Sequence, residues 1–238
     1  MFPGSTISTR RSCRECKNKQ PKYCKPAFYP EGHEVHDDFV PFAFFVATFK
    51  MTTNYSLDNF IEDLDRITRT ETVQEKIVSM AKPLLVKLVQ QPNCIEVKYR
   101  KRGATAYGRY MLHRAPLFNI SSVVWGPGDN AKAHNHDTWG MVGVVENEIQ
   151  ETRFHRKDKG SNSEHADLEV SAVLKNQAGM VSCLIAPDDD IHEMNNVTDR
   201  DTVEIHVYGK DLTDMPRLRF DVATKSVKTF ASPKYDNC

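Results

Sequence analysis

The hydrophobic pattern changes period partway along the chain. "SLDNFIEDLDRI" places Leu57, Phe60, Ile61, Leu64 and Ile67 at helical intervals of three and four, with Ser56 positioned as N-cap. A second helix is expected behind "TVQE" at Thr72 to Glu75, which has the form of a capping box, and it carries Ile77, Val78, Leu84, Leu85 and Leu88. Pro83 should kink or break that helix. After Cys94 the pattern becomes one of short strands: Ile95 to Arg100, Tyr107 to His113, Ile120 to Trp125, Met141 to Val145, Ile149 to His155, Leu168 to Leu174, Met180 to Ala186, Thr202 to Tyr208 and Arg217 to Val222. Many short strands after two helices predict a β-barrel or sandwich with an N-terminal helical cap.

Residues 1 to about 50 carry neither pattern. They are rich in Pro, Lys and Arg, and "RRSCRECKNKQPKYCKP" is a basic run containing Cys13, Cys16 and Cys24. A basic, disordered extension over residues 1–50 is expected, followed by one folded domain over 51–238. The competing reading is a zinc knuckle that adds His33 and His36 to the Cys-x2-Cys half-site, against which the second half-site is irregular. The first dozen residues, acid-free and rich in Ser, Thr and Arg, weakly resemble an organellar address, and Met51 could serve as a translation start.

Composition narrows the function. The 238 residues hold 32 basic and 32 acidic side chains, a formal net charge of zero, which argues against bulk nucleic-acid binding. The longest apolar run, "PFAFFVATF", is shorter than the roughly 18 to 20 residues that span a bilayer. A cytoplasmic protein without a membrane partner is expected, as a monomer or small homo-oligomer, its six cysteines present as reduced thiols.

The candidate chemistry lies in "GDNAKAHNHDTWG". On a strand, side chains alternate, so His134 and His136 share a face while Asn135 points away, and two neutral imidazoles so placed can share one metal ion. "PDDDIHEMNN" offers His192 as a third ligand. Gly128, five residues, His-x-His forms one motif, and Pro187, four residues, His192, three residues, Asn196 forms a second. Together they match the outline of the two cupin motifs. The cupin pattern adds a glutamate ligand three or four residues after the second histidine, but here Gly140 and Met141 stand there. A neutral three-histidine set leaves a divalent charge uncompensated and coordination positions open, favouring an anionic substrate and a co-ligand such as O2. Ligand type alone admits zinc as well as iron. In "TVEIHVYG", Glu204, His206 and Tyr208 fall on one strand face, which reads either as a relay on the inner wall or as a solvent-facing stripe. Trp125 and Trp139 read as packing residues.

These segments, "VVWGPGDNAKAHNHDTWGMVGVVENEIQETRF", "APDDDIHEMNNVTDRDTVEIHVYGKDL" and "KTFASPKYDN", resemble the thiol dioxygenase family, which contains cysteine dioxygenase and 3-mercaptopropionate dioxygenase. The wording "HxHxxWG" and "IHVYG" is closer to the mercaptopropionate branch. The resemblance implies a mainly β cupin double-stranded β-helix, or jelly-roll barrel. It implies Fe(2+) on His134, His136 and His192, and a small carboxylate-bearing thiol and O2 as partners, with a sulfinic acid as product. Tyr208 and His206 would orient substrate and oxygen. Glu204 stands where the family relay has Ser; its carboxylate can accept a hydrogen bond from His206 but adds negative charge. No cysteine follows His136 before Cys183, so no cysteine–tyrosine crosslink is expected. Arg109 falls where the cysteine enzymes carry their carboxylate-binding arginine and Arg217 where the mercaptopropionate branch carries its own. Either one is a spare surface cation or the pocket takes a thiol with two carboxylates. The alternatives are a cupin with another reaction, such as an isomerase, and a non-catalytic metal-binding sensor.

Overall fold

A computed structural model of the protein describes residues 54–103, 107–158, 160 and 162–238. The expected extension over residues 1–50, with its three cysteines and possible knuckle, lies outside the described residues. Helix α1 spans Leu57–Thr70 and is capped reciprocally: Ser56 Oγ accepts from the Asn59 N–H at 3.2 Å, and Asn59 Oδ1 accepts from the Ser56 N–H at 3.1 Å. Helix α2 spans Gln74–Val89. The expected capping box does not form. Val73 is the N-cap and makes no side-chain bond, because the Glu71 carboxylate takes the Thr72 and Val73 N–H groups at 2.8 Å each. Nor does Pro83 end the helix, which runs through it. Pro83 itself is exposed, while Ala81 and Leu85 on the buried face hold the helix to its neighbours.

Eleven strands follow among the described residues. One antiparallel sheet has the order β1 (Gly108–Arg114), β2 (Asn119–Trp125), β9 (Thr202–Tyr208), β4 (Gly140–Glu146), β7 (Val181–Leu184). The other runs β11 (Ser226–Phe230), β10 (Arg217–Asp221), β3 (Asn130–His134), β8 (Ile191–Asn195), β5 (Glu148–Arg156), β6 (Leu168–Gln177). This is the expected jelly roll, two sheets rather than one continuous hydrogen-bonded barrel. Residues 95–100 are not a strand. Ile95 to Arg100 close a turn with a 3-10 segment at Val97–Tyr99, held by Arg100, whose Nε and Nη2 both reach the Ile95 carbonyl. The short strands β3 and β8 carry His134 and His192, as the metal-ligand reading implied, whereas β11 was not expected.

Strand β9 is buried on both faces. Val203, Ile205 and Val207 pack outward with Phe60, Leu64, Leu85 and Leu88 of the helices, while Val123, Trp125, Val142, Val144, Ile149 and Met194 form a separate cluster. The helices therefore cover the outer face, and Glu204, His206 and Tyr208 are left to the inner one. The cap lies close: a Cβ at Gly143 would stand 2.8 Å from Val89 Cγ1, so β4 needs a glycine beneath α2. No helix among the described residues is long and apolar enough to cross a membrane, and Cys94, Cys183 and Cys238 are free thiols.

Candidate metal centre

Strand β3 ends at His134, so His136 lies two residues beyond the strand rather than on it. Asn135 keeps the two rings on one side, because its side chain turns to β10 and its Oδ1 accepts the Leu218 N–H at 2.7 Å. Across the sheet His192, on β8, is the register partner of His134. The three ring centroids are 4.8, 5.0 and 4.9 Å apart, and the nitrogens they offer lie within 4.8 Å of one another.

Each ring has an acceptor on Nδ1. His134 donates to the Lys132 carbonyl at 2.7 Å, His136 to the Asp190 carbonyl at 2.9 Å, and His192 to the Glu151 carboxylate at 2.9 Å. A carbonyl can only accept, so the ring hydrogen sits on Nδ1 and Nε2 keeps its lone pair. Nε2 of His136 is buried and has no partner at all. Burial first, then the neighbouring imidazoles and the charge of Arg217, hold His134 and His136 well below the usual histidine range, so both rings are neutral. Three imidazoles whose ring nitrogens cluster, two of them held neutral, are a donor set suited to a divalent ion, and a metal fits here.

Glu151 and Asp190 escaped the sequence reading. Asp190 Oδ2 takes the His136 and Asp137 N–H groups at 3.0 Å each, which fixes the turn that carries His136. Glu151 is fully buried on β5, with Asn176 Nδ2 on its second oxygen at 2.8 Å and Arg153 Nε at 3.2 Å. Burial would raise its carboxyl, but the hydrogen bonds from His192 and Asn176 and the charge of Arg153 prevail and hold it at about 2. The carboxylate absent from the ligand positions thus stands one hydrogen bond behind them.

Gly140, where the cupin pattern would put glutamate, is filled differently. It pairs with Tyr208 across β4 and β9, and a Cβ there would stand 2.8 Å from the Tyr208 ring. That ring stacks on His136 at 5.0 Å. Its hydroxyl meets His206 Nδ1 at 3.0 Å, and His206 Nε2 meets Glu204 Oε2 at 2.9 Å. Trp125, expected only to pack, also donates its indole N–H to the same Glu204 oxygen at 2.5 Å. Burial, against the pull of Arg217, keeps the Tyr208 phenol well above its ordinary value and therefore protonated. Among the described residues no cysteine lines the cavity.

The cavity between the sheets is lined by the three histidines, His206 and Tyr208, and by both Arg109 and Arg217. Arg217 is buried. Nη1 donates to the Asn135 carbonyl at 3.0 Å, Nη2 to Ser232 Oγ, and the guanidinium lies 4.6 Å over the Phe230 ring, leaving Nε without a partner. Arg109 is half-buried, donates to the Pro233 carbonyl, and lies 4.5 Å over the Tyr235 ring. The segment "KTFASPKYDN" therefore supplies Phe230, Ser232, Pro233 and Tyr235 as the seats of both arginines. The cavity, about 60 Å³ in volume, has room for more than one water and hence for a small ligand.

A jelly roll whose inner wall brings three imidazoles together defines a cupin with a site able to hold a metal ion. A model of the cysteine dioxygenase type I family matches residues 66–220, and the chain belongs to that family. Solved structures similar to it include the TT1209 protein from Thermus thermophilus, at 14% identity over 47% of this chain and 90% of that one with a TM-score of 0.36. An oxalate oxidase in complex with the substrate analogue glycolate matches at 16% identity over 49% and 59%, with a TM-score of 0.37. An RmlC-like cupin from Desulfovibrio desulfuricans matches at 18% identity over 48% and 92%, with a TM-score of 0.32.

Proposed function

We propose that the protein is a mononuclear non-heme iron dioxygenase that converts a small carboxylate-bearing thiol to its sulfinic acid. The observation that carries this reading is the clustering of three histidine ring nitrogens on a cavity that Arg217 also lines. His134, His136 and His192 would hold ferrous iron, which when bound would supply a Lewis-acidic centre for a thiolate and O2. The overall change is RSH + O2 → RSO2H. Both oxygen atoms go to sulfur, sulfur gives up four electrons, O2 accepts four, and no other reductant is consumed.

The protein's own groups bind and orient. Arg217, held in place through both Nη atoms, supplies the cationic seat for a substrate carboxylate and sets the distance from carboxylate to sulfur. Val123, Met194 and Leu212 furnish apolar wall and limit water. Glu204 sets the direction of the relay. His206 Nε2–H and the Trp125 indole N–H converge on its Oε2, so one imidazole hydrogen is committed to that side. His206 Nδ1 meets the Tyr208 hydroxyl, so the Glu204–His206 pair fixes where the phenol stands beside bound substrate or oxygen.

The test is oxygen uptake by anaerobically iron-loaded protein with cysteine, 3-mercaptopropionate and mercaptosuccinate, with the product identified by mass. One O2 consumed per sulfinate formed is expected with at least one thiol. Absence of sulfinate with all three overturns the reading and returns the site to an isomerase or a metal-binding sensor.

A further inference from the structure

We infer that the substrate carries two carboxylates and no ammonium group, one carboxylate seated on Arg217 and the other on Arg109. The inference rests on the thiol dioxygenase reading for its sulfur and on the cavity for its charges. Both guanidiniums line one small space, and neither forms an ion pair among the described residues. Their partners are carbonyl oxygens, one hydroxyl and aromatic faces, all uncharged. Asp236, beside Arg109, is engaged elsewhere, its Oδ2 accepting the Arg109 backbone N–H at 2.8 Å. None of the described side chains lining the cavity is acidic.

A buried cation without a counter-ion is costly, and two that face the same cavity repel each other. Burial lowers the Arg217 guanidinium, and the charge of Arg109 adds to this against the opposing pull of Tyr208, Tyr107 and Asp137. A ligand with one carboxylate would relieve one of the two. An ammonium would enter a space that already holds two guanidiniums and would meet no carboxylate there, so cysteine suits it poorly. Mercaptosuccinate, a four-carbon thiol diacid, supplies both anions and a sulfur for the metal.

The experiment has a binding arm and a turnover arm. Succinate and propionate, which carry no thiol, are titrated calorimetrically into the metal-free protein and into Arg109→Gln and Arg217→Lys. Succinate is expected to bind at least ten-fold more tightly than propionate, and Arg109→Gln, at a half-exposed position, to remove most of that margin, since a charge-assisted pair contributes roughly a ten- to hundred-fold effect. With iron-loaded protein, kcat/KM is expected to fall in the order mercaptosuccinate, 3-mercaptopropionate, cysteine. Arg109→Gln should lower it at least ten-fold more for mercaptosuccinate than for 3-mercaptopropionate. Equal affinity for succinate and propionate, or cysteine or 3-mercaptopropionate turned over as well as the diacid, overturns the inference while leaving the dioxygenase reading in place. Preferential, Arg109-dependent succinate binding without sulfinate from any thiol does the reverse: it upholds the two-carboxylate site and overturns the dioxygenase.

Discussion

Glu151→Gln tests whether the carboxylate behind His192 supports the metal. The substitution keeps volume and one acceptor oxygen but removes the charge, and whichever way the amide is turned its NH2 must face His192 Nδ1–H, Arg153 Nε–H or Asn176 Nδ2–H, all donors. Replacing the outer partner of a metal-bound histidine typically weakens metal binding ten- to hundred-fold, about 1.4 to 2.8 kcal/mol. Wild-type protein at a free metal concentration of 100 Kd gains about 2.7 kcal/mol from binding. At the same concentration the variant would stand at only ten times to once its own Kd and gain about 1.4 to 0.4 kcal/mol. Anaerobic competition for Fe(II) against a chromophoric chelator reads the affinity, and calorimetric melts with and without metal read the linked stability. A variant whose metal-free melt matches wild type and whose Fe(II) affinity stays within about two-fold refutes the argument that this charge reaches the metal through His192.

Three further outcomes are expected. Gly140→Ala drives a Cβ to 2.8 Å from a Tyr208 ring that His206 and His136 hold in place; the resulting shift should cost about 1–3 kcal/mol in a melt and at least ten-fold in kcat/KM for oxygen uptake, and unchanged kinetics would show that ring placement is immaterial. Phe60→Ala empties a site with no exposure between α1 and the outer face of the first sheet; it should destabilise by about 3–5 kcal/mol in denaturant titration while the surviving folded protein keeps its Fe(II) affinity. Pro83→Ala gives the interior of α2 back a missing N–H at an exposed position and should raise the melting temperature, since an interior helical proline costs about 3 kcal/mol and only part of that is returned through the stiffer unfolded chain.

The helical cap, most of the expected strands in outline, and the three histidines were legible in the sequence because each leaves a local mark: a period of three to four, alternation, or a spacing around Gly128 and Pro187. The glycine marker has a physical function. Gly128 adopts a φ of +80° and donates its N–H to the Asn196 carbonyl, while the Asn196 side chain reaches the Trp125 carbonyl at 3.0 Å, so the two motifs are clasped to each other. What failed was set by tertiary partners. Ile95 to Arg100 has strand composition, yet Arg100 satisfies the Ile95 carbonyl locally before any neighbouring strand can. Pro83 is tolerated because the buried face on either side of it is anchored.

Glu151 shows where pattern reading could have gone further. On β5 it falls two residues after Ile149, which is fully buried, so alternation alone places its side chain inward before the irregularity at Arg153 and Phe154 shifts the phase. Glu204 follows the same logic on β9, in phase with His206 and Tyr208. A carboxylate at an inward position is too costly to keep unless something inside donates to it. Each such acid therefore implies a donor or cation elsewhere in the chain: here His192, Arg153 and Asn176 for one, and His206 and Trp125 for the other. The two cavity arginines form no ion pair among the described residues, which is the ground for seeking their counter-ions in the ligand.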